Sequence, residues 1–207
     1  MTRAVLFDWD GTLADTAEAS YRCYVRTFAD YGIRFDRLRY AETYSPNWYH
    51  TFRCVGLEET RWSEADEKWL TYYAEETIHL VADARAALEA LASRRLLTGL
   101  VTSGSRPRIE RELTLHKVSH HFPAVVCGTD TVEKKPHPEA LLVCLDRLGV
   151  SPRDAVYVGD SPEDVVMARA ANVRSIAVRG SYPNVAALEA AAPNLIVSNL
   201  SEAIVSI

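Results

Sequence analysis

The apolar residues of the chain follow two patterns, and the change between them divides the sequence. Short apolar runs typical of buried strands occur at 5–7 and again from residue 96 onward, where they alternate with segments of helical spacing. Between residues 17 and 80 the spacing is helical throughout. Because alternating strands and helices are typical of a parallel sheet covered on both faces, we predict an α/β, Rossmann-like fold with an inserted all-α lobe.

Polar residues directly follow three of the predicted strands, which are the opening run and the runs at 96–101 and 155–158. In chain order they are Asp8 and Asp10, Thr102 and Ser103, and Asp160. The carboxyl ends of parallel strands meet at one edge of a sheet, and ligands bind there. The pattern therefore predicts one polar site at this edge, built from residues that are far apart in sequence.

Asp8 and Asp10 allow two interpretations. If the first strand extends to Asp10, both carboxylates project to the same side. Two like charges that are close together and buried cost several kcal/mol unless a cation neutralises them, which favours a Mg²⁺ site. The alternative is a solvated turn after the strand, where Asp and Gly are common. The residue between them, Trp9, has no role that the sequence defines.

The composition excludes several classes of protein. The chain has 207 residues, enough for one core plus an inserted lobe. Its net charge of −5 is opposite to that of a nucleic-acid-binding surface. No apolar run approaches the roughly 20 residues of a membrane span, and the N-terminus lacks the pattern of a signal peptide. We therefore expect a cytoplasmic protein that binds neither nucleic acid nor membrane, and the sequence does not define its oligomeric state.

The predicted helical lobe is rich in aromatic residues and holds 14 of the 19 in the chain. Most recur at helical spacing, so we predict that they form a core. The segment 44–50 differs, because Pro46 marks a turn there and the aromatic residues lack clear periodicity. We predict that Trp48, Tyr49 and Arg53 contact the substrate, with Arg53 receiving an acidic or planar leaving group.

Four short motifs resemble, in order and spacing, those of the haloacid dehalogenase-like (HAD) superfamily. They are 8–13 (DWDGTL), 101–103 (VTS), 135–136 (KP) and 158–161 (VGDS) with Asp164. The lobe is similar to the cap that the phosphoglycolate phosphatase-like branch carries between the first and second motifs. The resemblance implies a core domain of residues 1–15 plus 82–207 and a helical cap domain of residues 16–81.

By this resemblance, Asp8 is the nucleophile that accepts the phosphoryl group. Asp10 protonates the leaving oxygen and then activates water. Thr102 hydrogen-bonds the phosphoryl oxygens, Ser103 adds a backbone N–H, and Lys135 offsets their charge. Lys135 is preferred to its neighbour at 134 because the family lysine often precedes a proline.

The resemblance also implies a set of metal ligands. Mg²⁺ would be held by Asp8, by the backbone carbonyl of Asp10, and by Asp160. Asp164 has two possible roles, since the pattern 161–164 (SPED) is also a helix cap. It either lies on the metal side of the site or stabilises the start of a helix.

The predicted function is that of a Mg²⁺-dependent phosphatase acting on a small phosphorylated metabolite. One alternative is a sugar-phosphate mutase of the same superfamily. Such mutases carry a histidine in the first cap helix, where this sequence has Ser20. The other alternative is a HAD-like binding protein that has lost turnover, although no motif residue is missing.

Overall fold

The computed structural model describes residues 1–207 and contains eight strands. They are β1 (Ala4–Phe7), β2 (Ala14–Asp15), β3 (His79–Leu80), β4 (Leu97–Val101), β5 (Ala124–Val126), β6 (Ala155–Gly159), β7 (Arg174–Val178) and β8 (Leu195–Val197). Six of them form a parallel sheet in the order β5-β4-β1-β6-β7-β8. The short strands β2 and β3 pair with each other in antiparallel orientation.

Ten α-helices accompany the strands. They are α1 (Ala17–Ala29), α2 (Arg37–Thr43), α3 (Trp48–Cys54), α4 (Trp62–Ala74), α5 (Ala84–Ser93), α6 (Arg106–Leu115), α7 (Glu139–Leu148), α8 (Pro162–Ala170), α9 (Val185–Ala190) and α10 (Leu200–Val205). The first four lie between β2 and β3, so the predicted α/β fold with an inserted helical segment is confirmed. None of the helices combines the length and the apolar character needed to cross a membrane.

Strand β1 is the centre of the sheet and its topological switch point. It pairs with β4 on one side and with β6 on the other, and all four of its residues are fully buried. Val5 and Phe7 join a core cluster on one face of the sheet, and Ala4 and Leu6 join a second cluster on the other. The crevice beyond a switch point is where open α/β sheets bind ligands. The loop after β1 lies there.

The inserted helices have a core of their own. Ten buried residues form it, and most are aromatic, which confirms the packing predicted for them. Phe28 and Phe35, for example, meet edge to face with ring centroids 4.8 Å apart. Tyr182, from the loop after β7, is also a member of this cluster. It stacks on Tyr44 at a centroid distance of 4.3 Å and so joins the helical segment to the sheet.

The chain leaves the sheet for the lobe and returns from it through adjacent strands. In the β2–β3 pair, Ala14 faces Leu80 and Asp15 faces His79. The predicted boundaries after residue 15 and before residue 82 fall at this two-stranded crossing. The division into a core domain and a cap domain stays a prediction.

Candidate active site

The loop after β1 carries both aspartates of the first motif. The strand ends at Phe7, so Asp8 and Asp10 lie beyond it and the strand alternation expected for them does not apply. The loop turns tightly instead, because the backbone N–H groups of residues 12–14 all donate to the carbonyl of Trp9. It is this turn, rather than the strand pleat, that places the two carboxylates.

The same loop contacts the loop after β6. Gly11 has φ +80°, and a Cβ atom at this position would lie 2.2 Å from Oδ2 of Asp160, so no other residue fits without distortion. The hydroxyl of Thr12 donates to Oδ1 of Asp160 over 3.0 Å. The first and fourth motifs therefore meet at the edge of the sheet, as the sequence predicts.

Lys135, from the third motif, contacts residues of both the first and the fourth motif. Its ammonium group is buried and donates to Oδ1 of Asp8, to Oδ1 of Asp164 and to the hydroxyl of Tyr157, each over 2.8 Å. The neighbouring Lys134 is exposed and donates only to two backbone carbonyls. The structure therefore distinguishes the two adjacent lysines by burial and by partners.

Asp164 caps the helix α8. Its Oδ2 accepts hydrogen bonds from the backbone N–H and the hydroxyl of Ser161, whose hydroxyl in turn accepts from the N–H of Asp164. Its Oδ1 accepts from Lys135 and from Tyr157. Both carboxylate oxygens are thus fully engaged, and a bond to a metal would require one of these contacts to break. Of the two roles that the sequence left open for Asp164, the structure shows the helix cap.

Three carboxylates meet here and one ammonium group faces them. Ligand oxygens of Asp8, Asp160 and Asp164 lie within 4.8 Å of one another, and all three residues are buried. Burial raises the pKa of Asp8 to about 7, although Lys135 opposes the shift. Burial and the charge of Asp8 raise the pKa of Asp160 well above its ordinary value. The cluster therefore holds more acidic groups than Lys135 alone can pair with.

Oδ2 of Asp160 is buried and has no hydrogen-bond partner. A buried acceptor without a partner costs about 1–3 kcal/mol, so native proteins rarely leave one in that state. A divalent cation that prefers oxygen ligands would satisfy this atom and supply the missing positive charge. The residues present therefore fit a metal site of this kind.

Asp10 does not contact Lys135. It forms a bidentate ion pair with Arg108 of α6, in which Nη1 lies 2.9 Å from Oδ1 and Nη2 lies 2.5 Å from Oδ2. Arg108 also donates to the hydroxyl of Tyr73 in α4, over 3.2 Å, and lies 3.5 Å from Glu112. Arg108 was not among the site residues predicted from the sequence. The only feature of the sequence that involves Arg108 is its four-residue spacing from Glu112, and such ion-pair spacing is common on helix surfaces.

Trp9 now has a defined environment. Its side chain is fully buried, and its indole N–H donates to Oε2 of Glu112 over 2.6 Å. Glu112 thus contacts both Trp9 and Arg108, the partner of Asp10. These contacts tie the loop after β1 to α6 and fix the side chain of Arg108 beside Asp10.

Thr102 and Ser103 follow β4 at the same edge of the sheet. Oγ1 of Thr102 accepts a hydrogen bond from the N–H of Gly104 over 3.1 Å, which leaves its own hydroxyl proton free for another acceptor. Thr102 and Lys135 border a small groove beside the main cavity, and Ser103 lines both. The four predicted motifs therefore lie around one site.

A cavity of about 140 Å³ lies between this edge and the inserted helices, with Asp8, Asp10 and Asp160 on its floor. Of the three residues predicted in the lobe, Trp48 lines the cavity and also the adjacent groove.

The other two residues predicted in the lobe lie elsewhere. Tyr49 lines only the groove and stacks on Trp62 at a centroid distance of 5.1 Å. Arg53 lies outside both, with 65% of its side chain exposed, and is 3.8 Å from Glu59. The structure does not bring Arg53 to the site.

Residues 5–178 match the sequence model of the haloacid dehalogenase-like hydrolases. The chain belongs to this family. It is 30% identical to a phosphoglycolate phosphatase of Yersinia pestis, over 97% of this chain and 90% of that protein. It is 28% identical to the pyrophosphatase PpaX of Oceanobacillus iheyensis, over 98% of this chain and 95% of that protein.

The solved structures agree with this family fold. The crystal structure of a putative phosphoglycolate phosphatase from Lactobacillus plantarum covers 100% of both chains with a TM-score of 0.90 at 23% identity. The predicted family is confirmed, and so is the predicted class of enzyme, a phosphatase of the haloacid dehalogenase-like family.

Proposed function

We propose that this phosphatase requires Mg²⁺ and hydrolyses a small phosphorylated metabolite through an aspartyl-phosphate formed on Asp8. The observation that carries the proposal is the arrangement around Asp8. Lys135 holds Oδ1 of this carboxylate, whereas Oδ2 has no hydrogen bond within the protein and the residue lines the cavity. One oxygen is thus held in place and the other is available to attack phosphorus.

The first step transfers the phosphoryl group to the enzyme. Oδ2 of Asp8 forms a bond to phosphorus as the bond from phosphorus to the leaving oxygen breaks. The hydroxyl of Thr102 donates a hydrogen bond to a phosphoryl oxygen, and Lys135 reduces the negative charge around the reacting group. Asp10 gives a proton to the leaving oxygen, so that the product departs as an alcohol.

The second step regenerates Asp8. Water attacks the phosphorus of the aspartyl-phosphate and Asp10 takes a proton from that water. The bond from phosphorus to Oδ2 of Asp8 breaks, and inorganic phosphate leaves. In the structure, Arg108 pairs with both carboxylate oxygens of Asp10, so one of these two contacts must open before that oxygen can carry the proton that Asp10 transfers, while the other contact keeps the side chain in place. Arg108 and its partner Glu112 thus position Asp10 and do not themselves touch the reacting atoms.

Asp8, Asp160 and the backbone carbonyl of Asp10 would hold Mg²⁺. When bound, the ion supplies the positive charge that lets a carboxylate approach a phosphate dianion. The donor set supports this choice, because carboxylate and carbonyl oxygens suit Mg²⁺ and no thiolate or imidazole is among them.

Removal of the metal tests this assignment. In EDTA, hydrolysis of p-nitrophenyl phosphate is expected to fall to about 1% or less of the rate with Mg²⁺, and added Mg²⁺ should restore it. Mg²⁺ should also raise the melting temperature of the wild-type protein, and raise it less in Asp160→Asn, since that substitution removes the unpartnered carboxylate. Full activity in EDTA would contradict a metal requirement.

We also propose that residues 16–81 act as a cap that closes over the site. The crossing at β2 and β3 is the place where the cap would pivot, and residues such as Trp48 would then reach the bound substrate. All four cysteines are free, which is consistent with the cytoplasmic location that we infer.

No observation favours the mutase alternative. Ser20 lines the cavity at the position considered for a mutase histidine, and no histidine is among the lining residues. The binding-protein alternative is supported no better, because Asp8, Asp10, Lys135 and Asp160 are all present, Lys135 contacts Asp8, and carboxylate oxygens of Asp8 and Asp160 lie within 4.8 Å of each other.

A further inference from the structure

The loop after β7 lies beside the proposed metal site, although none of the four motifs includes it. Strand β7 pairs with β6 so that Ala177 lies opposite Gly159, and Asp160 follows Gly159 directly. Because the two strands are parallel, the chain after β7 leaves the sheet at the same edge as Asp160. We call residues 179–184 the β7–α9 loop, since α9 begins at Val185. The mechanism proposed above does not use this loop.

Asn184 ends the β7–α9 loop and occupies the N-cap position of α9. The side chain of an N-cap asparagine usually accepts a hydrogen bond from the first turn of its own helix. The side chain of Asn184 makes no such bond. Its amide nitrogen donates instead to the backbone carbonyl of Asp160, over 3.1 Å. The side chain therefore contacts the loop after β6 and not the helix that it begins.

The peptide group between Asp160 and Ser161 has no hydrogen bond to another backbone group. It lies after the last residue of β6, Gly159, and before α8, so neither the sheet nor the helix supplies a partner. Its N–H donates to Oδ2 of Asp164 over 3.1 Å, and its carbonyl accepts from Asn184. Two side chains thus fix the orientation of this peptide group. They thereby also fix the direction in which the side chain of Asp160 leaves the backbone.

Gly180 of the same loop lies against the carboxylate of Asp160. A Cβ atom at position 180 would lie 2.9 Å from Oδ2 of Asp160 and 2.8 Å from the carbonyl oxygen of Gly11. Oδ2 of Asp160 is the buried oxygen that has no hydrogen-bond partner. The loop thus places no side chain beside this oxygen, and its only polar side-chain contact with Asp160 is the one from Asn184 to the backbone.

Tyr182 holds the β7–α9 loop in place. Its side chain is buried, its hydroxyl lies 3.0 Å from the hydroxyl of Thr16, and its ring stacks on that of Tyr44. The backbone N–H of Asn184 donates to the carbonyl of Tyr182 over 2.9 Å. A donor can orient another group only if the donor is itself held by its surroundings. Asn184 meets this condition.

From these contacts we propose that Asn184 is a positioning residue for the metal site, because it fixes the backbone that carries Asp160. The inference rests on the proposed function and adds a residue that none of the four motifs contains. Asn184 lines neither the cavity nor the groove beside it, so it acts through Asp160 and does not touch the substrate. Residues that orient metal ligands typically contribute about 10- to 100-fold to metal affinity.

Asn184→Ser tests the proposal. Serine is about as favourable as asparagine at an N-cap, so α9 should still form, but its side chain has no amide and ends one bond earlier. We expect the Kd for Mg²⁺, measured by isothermal titration calorimetry, to rise by at least about tenfold. The Mg²⁺ concentration that half-saturates hydrolysis of p-nitrophenyl phosphate should rise by the same factor. Saturating Mg²⁺ should restore most of the lost kcat.

Asn199→Ser is the matched control. Asn199 occupies the N-cap of α10, where its side chain does accept from the N–H of Glu202, and it lines neither the cavity nor the groove. The same substitution there should leave the Kd for Mg²⁺ within about twofold of the wild-type value. Melting curves without Mg²⁺ show whether both variants are folded. A purely structural role for Asn184 would lower the melting temperature without weakening Mg²⁺ binding.

Three results would overturn the proposal: an unchanged Kd in Asn184→Ser, an equal rise in Asn199→Ser, or a loss of kcat that saturating Mg²⁺ does not restore. If Asn184→Ser does not fold, the proposal also fails, because the side chain then supports the fold as a whole. These failures are distinguishable from a failure of the proposed function. If the wild-type protein binds and requires Mg²⁺ while Asn184→Ser behaves like it, only this inference is wrong. If the wild-type protein neither binds nor requires Mg²⁺, both are wrong.

Discussion

Asp8→Asn is expected to lower kcat for p-nitrophenyl phosphate by at least about 1,000-fold. An amide is a poor nucleophile and cannot form the aspartyl-phosphate, so the loss should appear in kcat and not be rescued by more substrate or Mg²⁺. Asparagine has nearly the same shape and can still accept the hydrogen bond from Lys135 that Oδ1 of Asp8 accepts now. The variant should therefore fold, and a melting curve would verify this.

The same substitution at a neighbouring acid serves as control. Glu163 lies close to the site but its carboxylate accepts from Ser45 of the lobe and takes no part in the proposed chemistry. Glu163→Gln should keep kcat within about threefold of the wild-type value. If Asp8→Asn retained more than about a tenth of the wild-type kcat, Asp8 would not be the nucleophile.

Lys135→Met is expected to lower the free energy of unfolding by about 3–5 kcal/mol, because it leaves buried carboxylates without their counter-ion. The ammonium group is the one positive charge that contacts Asp8 and Asp164, and both of those residues are buried. Methionine fills nearly the same volume, so the loss reports the charge and not a cavity. Urea unfolding, without Mg²⁺, would measure it.

Lys134→Met is the matched control for this substitution. Lys134 is adjacent in sequence, exposed, and bonded only to backbone carbonyls, so the change should cost no more than about 1 kcal/mol. Equal losses for the two variants would contradict the account, since they would mean that the buried carboxylates do not depend on Lys135.

The sequence was sufficient to predict which strand ends meet. Asp8 and Asp160 follow buried apolar runs, and parallel strands carry such residues to one edge whatever the details of the loops. It was not sufficient to predict how Asp8 and Asp10 are oriented. That depends on where β1 stops pairing, at Phe7, and on the turn closed by the carbonyl of Trp9.

Contacts between distant segments were the part that could not be predicted. Glu112 lies 103 residues from Trp9, and Arg108 lies 98 residues from Asp10. Nothing in a polar helix such as α6 indicates which loop its side chains will meet. Lys135 was identified only because the family lysine often precedes a proline, not from its own surroundings.

In the segment around α3, the apolar residues have no clear periodicity, so the sequence could not predict which side of the helix faces the cavity. In α3, Trp48 and Phe52 are four residues apart and face the cavity, with Phe52 almost fully buried. Tyr49 and Arg53 are also four apart and share the adjacent, more exposed side. Which of two neighbouring sides packs inward depends on the other helices of the lobe. The prediction for Arg53 therefore lacked the information that decides it.

The most direct test of the mechanism is to trap the phosphorylated enzyme. The wild-type protein with Mg²⁺ is mixed with p-nitrophenyl phosphate, quenched in acid during the first turnover, digested, and analysed by mass spectrometry. We expect one added phosphoryl group on the peptide that contains Asp8, and none in Asp8→Asn. A phosphoryl group on any other residue, or turnover with no phosphorylated peptide in wild type, would contradict it.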